Sequence, residues 1–335
     1  MNPLLLDYLC DPIDKSPLRL EAKEFDALGR VVAGQLISAT GAIYPITDGI
    51  PRFAMLPDAR EAVESFGDEW NYFDFIDFKQ NWLIHTIANT FGSTDAFKGR
   101  VVVDAGAGSG SQSRWIAEAD ARLVIALELS HSVDGVMRKN LDGLDNVEIV
   151  QCSIDQPPIR DAAIDGIVMC HNVIQHTPSV EKTARALWRL VAPGGEFVFN
   201  CYPKNDLGLV RKLRLQVYGL LRAIISRLPF GARLGYAKAM GALRFVPLLG
   251  WLLEKSFFMV RGDVPKGPDY FRRAYKSGVL NTFDCYGAHA YQHLKTDAEI
   301  RALVGELQPD QDKVGNMDRY FLRPQPIGIA LRLRR

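Results

Sequence analysis

Residues 101–110 constrain the fold of this chain more than any other stretch. They read V-V-V-D-A-G-A-G-S-G, an apolar run that ends at Asp104 and is followed by three alternating glycines. Consecutive valines are typical of a strand that is buried on both faces of a parallel sheet. The glycines predict a turn without side chains, in which backbone N–H groups can face a ligand. We therefore expect a ligand-binding junction between this strand and a helix at 111–119.

The glycine spacing separates this turn from the dinucleotide-binding fingerprint. That fingerprint, G-x-G-x-x-G, would need glycine at position 111, where this chain has Ser111. A second acid, Glu128, ends the run V-I-A-L-E, 18 residues after Gly110. A carboxylate at the end of the next strand can accept hydrogen bonds from both hydroxyls of an adenosyl ribose. A solvated strand-end glutamate is the alternative, but the distance from the glycine turn favours the ribose role.

The composition is that of an ordinary globular protein. The 335 residues are 47% hydrophobic and 24% charged with a net charge of +1, so no overall charge bias favours a nucleic-acid partner. Five scattered cysteines without a C-x-x-C pair are typical of reduced thiols in the cytoplasm. We expect no signal peptide and no spanning helix, because no apolar run approaches the roughly 20 residues needed. The expected location is cytoplasmic, with peripheral membrane contact left open.

Strands and helices alternate through the middle of the chain. Apolar runs predict strands at 101–105, 123–128, 147–151, 165–170 and 196–202. Helices lie between them, and this alternation predicts an α/β fold, a parallel sheet with helices on both faces. We expect five regions: a small β-rich module at 1–56, a helical linker and cofactor cover at 57–98, the core at 99–202, a basic helical lid insert at 203–279 and a C-terminal completion of the core at 280–335.

The order of these motifs resembles the class I S-adenosylmethionine-dependent methyltransferases. The acid-x-G-x-G-x-G turn, Glu128 and a P-G-G turn at 193–195 follow one another at that family's spacing, and the resemblance covers roughly residues 60–202. It implies a Rossmann-like methyltransferase sheet and S-adenosylmethionine as the cofactor. It also implies cofactor contacts at eight residues: Asp104, Gly106, Gly108, Gly110, Glu128, Ser153, Ile154 and Cys170.

One position departs from the family pattern. Similar methyltransferases usually carry aspartate where Ser153 stands, and that aspartate contacts the adenine amino group. Here Ser153 offers a hydroxyl, and the Ile154 backbone N–H would face the adenine ring. The nearest acid, Asp155, comes two residues later. The adenine side of the site is therefore expected to differ from the family's usual one.

Two flanking blocks resemble a bacterial subgroup of the same family. They are F-G-D-E-W-N-Y-F at 66–73 and N-T-F-D-C-Y-G-A-H-A-Y-Q-H at 281–293. The subgroup implies the architecture and the cofactor but not the molecule that is methylated. Trp70 and Phe73 in the first block would either pack over the cofactor or anchor the helix to the core, and the second interpretation is favoured.

The N-terminal residues resemble the small zinc-ribbon proteins that accompany methyltransferases. The segments L-L-D-Y-L-C-D-P-I-D-K-S-P-L and A-I-Y-P-I-T-D-G-I-P-R-F carry this resemblance, but Asp11 and Asp14 stand where a ribbon has its first two cysteines. Structural zinc takes four nitrogen or sulfur ligands, and Cys10 is one residue out of register. We therefore predict a metal-free module that forms a structural or substrate-side wall.

Methyl transfer to a hydroxyl needs a group that removes a proton. His176, on the loop after the fourth strand, is the first candidate, and His293 in the Y-Q-H block is the second. Each has a structural alternative, because His176 precedes a helix and His293 lies just before T-D-A-E at 296–299, a capping box. Tyr202 could line the acceptor pocket. An amine or thiol acceptor would need no base.

Residues 203–261 concentrate positive charge. They contain eleven Lys and Arg against Asp206 and Glu254, interleaved with apolar residues and Trp251 at helical spacings. Three interpretations compete: a lid with a solvated basic face, a surface on an anionic membrane, and an RNA-binding surface. The lid is favoured, and RNA is the least favoured because the aromatic residues sit among apolar neighbours.

These observations predict an enzyme that methylates a small-molecule or glycan acceptor, at a hydroxyl group, in a biosynthetic pathway. A tRNA or rRNA methyltransferase is the first alternative, which the ribbon-like module and the basic insert favour. A non-catalytic S-adenosylmethionine-binding scaffold is the second, and the intact glycine turn with Glu128 argues against it. The acceptor atom and the oligomeric state are not predicted.

Overall fold

The structure, a computed structural model, describes residues 1–53, 60–203, 209–262, 264, 266–287, 291–316 and 329–335. The chain forms two compact units. The first consists of Met1–Pro203, Tyr291–Met317 and Pro326–Arg335, and the second of Lys204–Ala290 and Asp318–Gln325. The N-terminal module and the strand–helix core thus share one unit.

Every strand that the structure describes lies in the first unit. In chain order they are β1 Leu18–Phe25, β2 Val31–Ser38, β3 Ile43–Thr47, β4 Ile50–Pro51, β5 Val101–Ala105, β6 Leu123–Glu128, β7 Val147–Gln151, β8 Ile167–Cys170, β9 Glu196–Pro203, β10 Leu294–Lys295, β11 Gln311–Asn316 and β12 Ile329–Arg334. The first four form an antiparallel sheet in the order β1-β2-β3-β4. The others form one large sheet in the order β11-β12-β9-β8-β5-β6-β7, with β10 beside β9. The strands β5 to β9 pair in parallel, whereas β12 is antiparallel to both β9 and β11.

Helices cover both faces of the large sheet, which confirms the predicted fold class. The helices of the first unit are α1 Arg60–Tyr72, α2 Lys79–Trp82, α3 Ala88–Thr90, α4 Ser111–Ala117, α5 Val136–Leu141, α6 Val180–Leu190 and α11 Asp297–Leu307. Those of the second unit are α7 Leu209–Ile225, α8 Phe230–Leu243, α9 Leu249–Lys255 and α10 Tyr270–Cys285. Neighbouring residues of a strand point to opposite faces. Val101 and Val103 accordingly join the core that contains α6 and α11, whereas Val102 joins the core that contains α4 and α5.

Local sequence patterns located most element ends of the core to within two residues. The fourth core strand begins at Ile167 rather than at 165. Helix α6 begins at Val180, because the Ser179 hydroxyl caps it by accepting the Lys182 N–H. The predicted capping box of α11 is confirmed, since Thr296 and Glu299 exchange the two expected hydrogen bonds.

The parallel strands β5 and β8 are neighbours in the sheet, and the order in which strands are added reverses between them. After β5 the chain continues to β6 on one side, and after β8 it continues to β9 on the other. Such a reversal opens a crevice at the carboxyl ends of the two strands, where open α/β sheets bind ligands. The glycine turn follows β5 and the loop 171–176 follows β8, so both border this crevice.

The N-terminal module packs directly on the large sheet. Leu5, Leu9 and Leu36 are fully buried in the same apolar core as β5 and β6. Arg52 forms a short parallel bridge with Gln151, and the N–H that follows it donates to the carbonyl of the same glutamine at 2.9 Å. Burial of shared apolar surface therefore holds the module and the sheet together.

Asp11 accepts hydrogen bonds from its own module. Its Oδ1 accepts the N–H groups of Ile13 and Asp14 at 2.7 and 3.1 Å, and its Oδ2 accepts the Tyr44 hydroxyl at 2.8 Å. Burial acts to raise the pKa of Asp11, but these hydrogen bonds outweigh it and hold that pKa below its usual value. Among the described residues, no cluster of three or more His, Cys, Asp or Glu could hold a metal ion.

The second unit is helical and has a core of tyrosines. The ring of Tyr286 lies 5.5 Å from each of the Tyr218 and Tyr236 rings, measured between centroids, and is almost fully buried. Arg233 is buried as well, with its guanidinium 5.3 Å from the centre of the Phe283 ring. No helix in the described part of the chain is both long and apolar enough to cross a bilayer.

Candidate active site

The glycine turn adopts a backbone conformation that leaves no room for side chains at two of its glycines. Gly106, Gly108 and Gly110 all have positive φ angles, +82°, +57° and +76°. A Cβ at Gly106 would overlap the side chain of Val173, and one at Gly108 would lie 3.0 Å from the Trp70 indole. The turn therefore requires glycine both for its backbone conformation and for the space around it.

Glu128 and the glycine turn, which the sequence placed in one site, are in direct contact. One carboxylate oxygen of Glu128 accepts the Gly108 N–H at 2.8 Å, and the other accepts the Ser130 N–H at 2.8 Å. The side chain is almost fully buried. The Ser132 hydroxyl donates to the Gly108 carbonyl at 2.7 Å. This carboxylate is thus fixed at the end of β6, with further lone pairs that can accept from a ligand.

We expect Glu128→Gln to weaken S-adenosylmethionine binding about 10- to 100-fold. The amide would place an NH₂ group against the N–H of Gly108 or of Ser130, so that two donors would face each other. Hydrogen bonds to a charged acceptor contribute about 1.5–3 kcal/mol each, which gives this range. Calorimetric titration measures the change. Glu118→Gln, whose carboxylate pairs with Lys79 at 2.6 Å, is the control; equal losses in both variants would contradict the assignment.

Asp104 organises the helix that follows the turn. Its two oxygens accept the Gln112 side-chain amide at 2.8 Å and the Ser113 hydroxyl at 2.6 Å. Burial raises the pKa of Asp104 to about 6, with a smaller contribution from the nearby charge of Glu128. The side chain therefore points towards α4. Its bonds to Gln112 and Ser113 fix the start of this helix, which follows the glycine turn directly.

The adenine side of the predicted site is built without a free carboxylate. Ser153 is half-buried, and its hydroxyl accepts the Asp155 N–H at 3.3 Å. The Asp155 carboxylate turns inward and accepts the Thr183 hydroxyl, which also bonds to the Thr177 hydroxyl at 2.9 Å. Asp155 therefore supports the start of α6 and does not replace the missing aspartate. Ile154 is buried beside it.

The fourth core strand ends at the buried Cys170, and the half-buried His171 follows it. Cys170 is fully buried in the apolar core, and burial raises the pKa of its thiol well above the usual value. Any contact of this residue with the cofactor would therefore come from its backbone. Burial also lowers the pKa of His171 to about 4, so this imidazole is neutral at pH 7. The His171 Nε2 lies 3.3 Å from the Thr86 hydroxyl.

A row of rings crosses the carboxyl end of the sheet. Trp70 stacks on Phe66 at 6.4 Å between ring centroids, and Phe66 meets His176 edge to face at 5.7 Å. His176 in turn meets Tyr202 edge to face at 5.7 Å. The row extends from the glycine turn, which Trp70 covers at Gly108, to the end of β9. It forms an apolar wall with a single imidazole in it.

The two candidate bases have different surroundings. The Nδ1 of His176 lies 3.1 Å from the Tyr291 carbonyl oxygen, which can only accept, so Nδ1 carries the proton in the neutral ring. His293 is held at two points: its N–H donates to the Gln175 carbonyl at 2.9 Å, and its Nε2 lies 3.0 Å from the Thr177 carbonyl. His293 therefore ties the Y-Q-H block to the loop after β8.

Gln175 is a residue of this loop that the sequence did not single out. Its side chain is fully buried, yet neither its amide oxygen nor its amide nitrogen has a hydrogen-bond partner among the described residues. A buried amide without partners costs about 1–3 kcal/mol. Such a cost is usually retained where a ligand or water satisfies the group. Nothing in the pattern N-V-I-Q-H distinguishes this glutamine from an exposed loop residue.

We expect Gln175→Met to raise the free energy of unfolding by about 1–2 kcal/mol, because the substitution removes the unsatisfied amide at similar volume. We expect methyl transfer by the same variant to fall. Denaturant unfolding and steady-state kinetics measure the two effects. Gln112→Met is the matched control and should be destabilised, since it loses the bond to Asp104. Destabilisation of Gln175→Met would show that its amide has a partner after all.

Comparison with known proteins identifies the family. A family model described as a methyltransferase domain matches residues 103–199. The dimethylglycine N-methyltransferase of Parasynechococcus marenigrum (strain WH8102) is 31% identical over 197 residues, which cover 56% of this chain and 67% of that protein. The chain belongs to the class I S-adenosylmethionine-dependent methyltransferases. The cofactor of this methyltransferase is S-adenosylmethionine.

Other relatives methylate different kinds of atoms. The ubiquinone biosynthesis O-methyltransferase of Aromatoleum aromaticum is 32% identical over 108 residues, which cover 32% of this chain and 46% of that protein. The sarcosine/dimethylglycine N-methyltransferase of Halorhodospira halochloris is 33% identical over 102 residues, 29% of this chain and 36% of that protein. The match to each of these two relatives therefore spans less than half of its length.

The solved structure of 1,6-didemethyltoxoflavin-N1-methyltransferase from Burkholderia thailandensis is also similar. It was determined with bound 1,6-didemethyltoxoflavin and S-adenosylhomocysteine. The similarity covers 94% of this chain and 99% of that one, at 13% sequence identity and a TM-score of 0.42.

Proposed function

We propose that this methyltransferase transfers a methyl group to a hydroxyl of a small molecule or glycan, with His176 taking the proton. The orientation of one imidazole ring carries the proposal. Because Nδ1 faces the Tyr291 carbonyl, the neutral ring has its basic lone pair on Nε2. The ring lies on the loop that borders the crevice, between Phe66 and Tyr202. An oriented imidazole in an apolar wall suits the removal of a proton from a bound hydroxyl.

The cofactor would be held at the glycine turn and at the neighbouring strand ends. Glu128 would accept the ribose hydroxyls, because two backbone N–H groups fix its carboxylate and it has lone pairs to spare. Gly106, Gly108 and Gly110 would let the cofactor lie against the backbone, and Ser153 with Ile154 would face the adenine. The bound sulfonium supplies an electrophilic methyl group. The protein then has to orient the acceptor and to accept its proton.

An amine acceptor would make a different demand on the same site. An uncharged amine already presents a lone pair and needs no base for the displacement, whereas a hydroxyl becomes a good nucleophile only as its proton leaves. The relatives include both N- and O-methyltransferases. The role of His176 therefore distinguishes the two acceptor classes in this chain.

The acceptor class can be tested with labelled S-adenosylmethionine. The full chain would be incubated with three sets of acceptors: phenols and catechols, simple glycosides, and the amines glycine, sarcosine and dimethylglycine. We expect label in the hydroxyl compounds, and mass spectrometry of the products would locate it on oxygen. Transfer to the amines alone would contradict the proposal. As a control, calorimetry without an acceptor measures the binding of S-adenosylmethionine and shows whether the cofactor site is folded.

A further inference from the structure

The turn from α8 to α9 and the start of α9 expose an unusual run of large apolar side chains. We call this surface the apolar corner; it consists of Phe245, Val246, Leu248, Leu249, Trp251 and Leu252, together with Phe271, whose ring lies 5.7 Å from that of Phe245. Leu248 is 71% exposed, Trp251 50% and Phe271 72%. Single exposed apolar residues are ordinary, but an adjacent group of this size marks an interaction site.

The backbone of the apolar corner is strained at Leu248, one of its most exposed residues. Leu248 has φ +54° and ψ −55°, outside the regions that residues with a Cβ normally occupy. Strain of this kind persists where the surroundings impose it, and it is concentrated at functional sites. Here it accompanies a leucine whose side chain points into solvent.

The second unit carries the positive charge that an anionic surface would attract. Residues 203–279 contain fifteen Lys and Arg against four Asp and Glu, although the whole chain has a net charge of only +1. Lys255 is exposed one helical turn after Trp251, so a cation and an indole share one face of α9. Helix α7 adds a second exposed apolar strip, Leu213, Val217, Leu220 and Ile224, at the spacing of one helix face.

We infer that the apolar corner docks the enzyme onto an anionic lipid bilayer. An anionic bilayer supplies two kinds of interaction that water does not. Its apolar layer can bury the leucines and aromatic rings, and its negative headgroups can pair with the flanking lysines and arginines. Trp251 suits the headgroup level, where indole rings concentrate. Docking of this kind needs no spanning helix. It would give the enzyme access to acceptors that reside in the membrane.

The test uses the full chain and vesicles of phosphatidylcholine, with and without phosphatidylglycerol. We expect the chain to pellet with the anionic vesicles, to pellet much less with the neutral ones, and to be released by added salt. Leu248→Ser combined with Trp251→Ser should weaken vesicle binding about 100-fold, because burial of each large apolar side chain accounts for about tenfold or more. Lys255→Glu should weaken it several-fold.

Two controls keep the test specific. Leu28→Ser removes a leucine that is 75% exposed in the first unit, and it should bind vesicles normally. S-adenosylmethionine affinity should be unchanged in every variant, which shows that each one is folded. Failure to pellet with anionic vesicles would overturn the inference. Dimerisation that the double variant abolishes, without vesicle binding, would also overturn it and would assign the corner to a second copy of the chain.

Discussion

Gly108→Val is expected to abolish S-adenosylmethionine binding in calorimetric titrations. The φ angle of Gly108 is +57°, and even a single added Cβ would lie 3.0 Å from the Trp70 indole. A valine must therefore displace either the ring or the turn. Moving the turn would pull the Gly108 N–H away from the Glu128 carboxylate, which it now meets at 2.8 Å. The backbone that faces the cofactor and the carboxylate proposed to hold its ribose would therefore be displaced together.

Gly143→Val is the matched control for this experiment. Gly143 has a φ angle of +77°, comparable to that of Gly108, but a Cβ there would meet nothing within 4 Å. Both variants should lose about 1–3 kcal/mol of stability from backbone strain. Only Gly108→Val should lose the cofactor. Undiminished affinity in Gly108→Val would show that the glycine turn is not the binding site.

His176→Gln is expected to lower kcat for a hydroxyl acceptor about 100- to 10,000-fold, which is the usual contribution of a positioned general base. Glutamine can still donate to the Tyr291 carbonyl through its amide, so the local packing would be kept, but it cannot take up a proton at neutral pH. The KM for S-adenosylmethionine should change little. Steady-state kinetics with the best hydroxyl acceptor measures both parameters.

The same substitution at His293 separates catalysis from packing. His293→Gln can keep the hydrogen bond to the Thr177 carbonyl, and we expect kcat within a few-fold of the wild type. A kcat that falls in His293→Gln while His176→Gln stays active would reverse the proposed roles. A kcat unaffected by either substitution would point to an acceptor that needs no base.

The core of the fold follows from patterns that act over short stretches of chain. The run V-V-V before the glycines and the T-D-A-E box before α11 each determine their element through neighbouring residues, and the structure confirms both. The glycine turn and Glu128 were also placed together, because parallel strands bring their carboxyl ends to one edge. Such features depend on secondary structure and topology alone.

The remaining parts of the site depend on contacts between distant segments, which periodicity does not encode. The Trp70 indole lies against Gly108, 38 residues further along the chain, whereas the sequence favoured a role for Trp70 in anchoring its helix to the core. The Tyr291 carbonyl selects the tautomer of His176, although 115 residues separate them. The burial of Gln175 has no local signature either. Packing between segments decides these features, and one sequence does not reveal that packing.

The bridge between Arg52 and Gln151 has a consequence for the sheet as a whole. Strand β7 is the last strand on its side, and a bare outer strand is a template for pairing with other chains. The N-terminal module occupies the carboxyl end of this strand: Arg52 and Phe53 pair with Gln151, and the Asn2 N–H donates to the Glu148 carboxylate at 3.0 Å. We therefore expect the module to limit the pairing of this edge with other chains. An enzyme trimmed to its cofactor-binding core would expose that strand and would be expected to form insoluble assemblies.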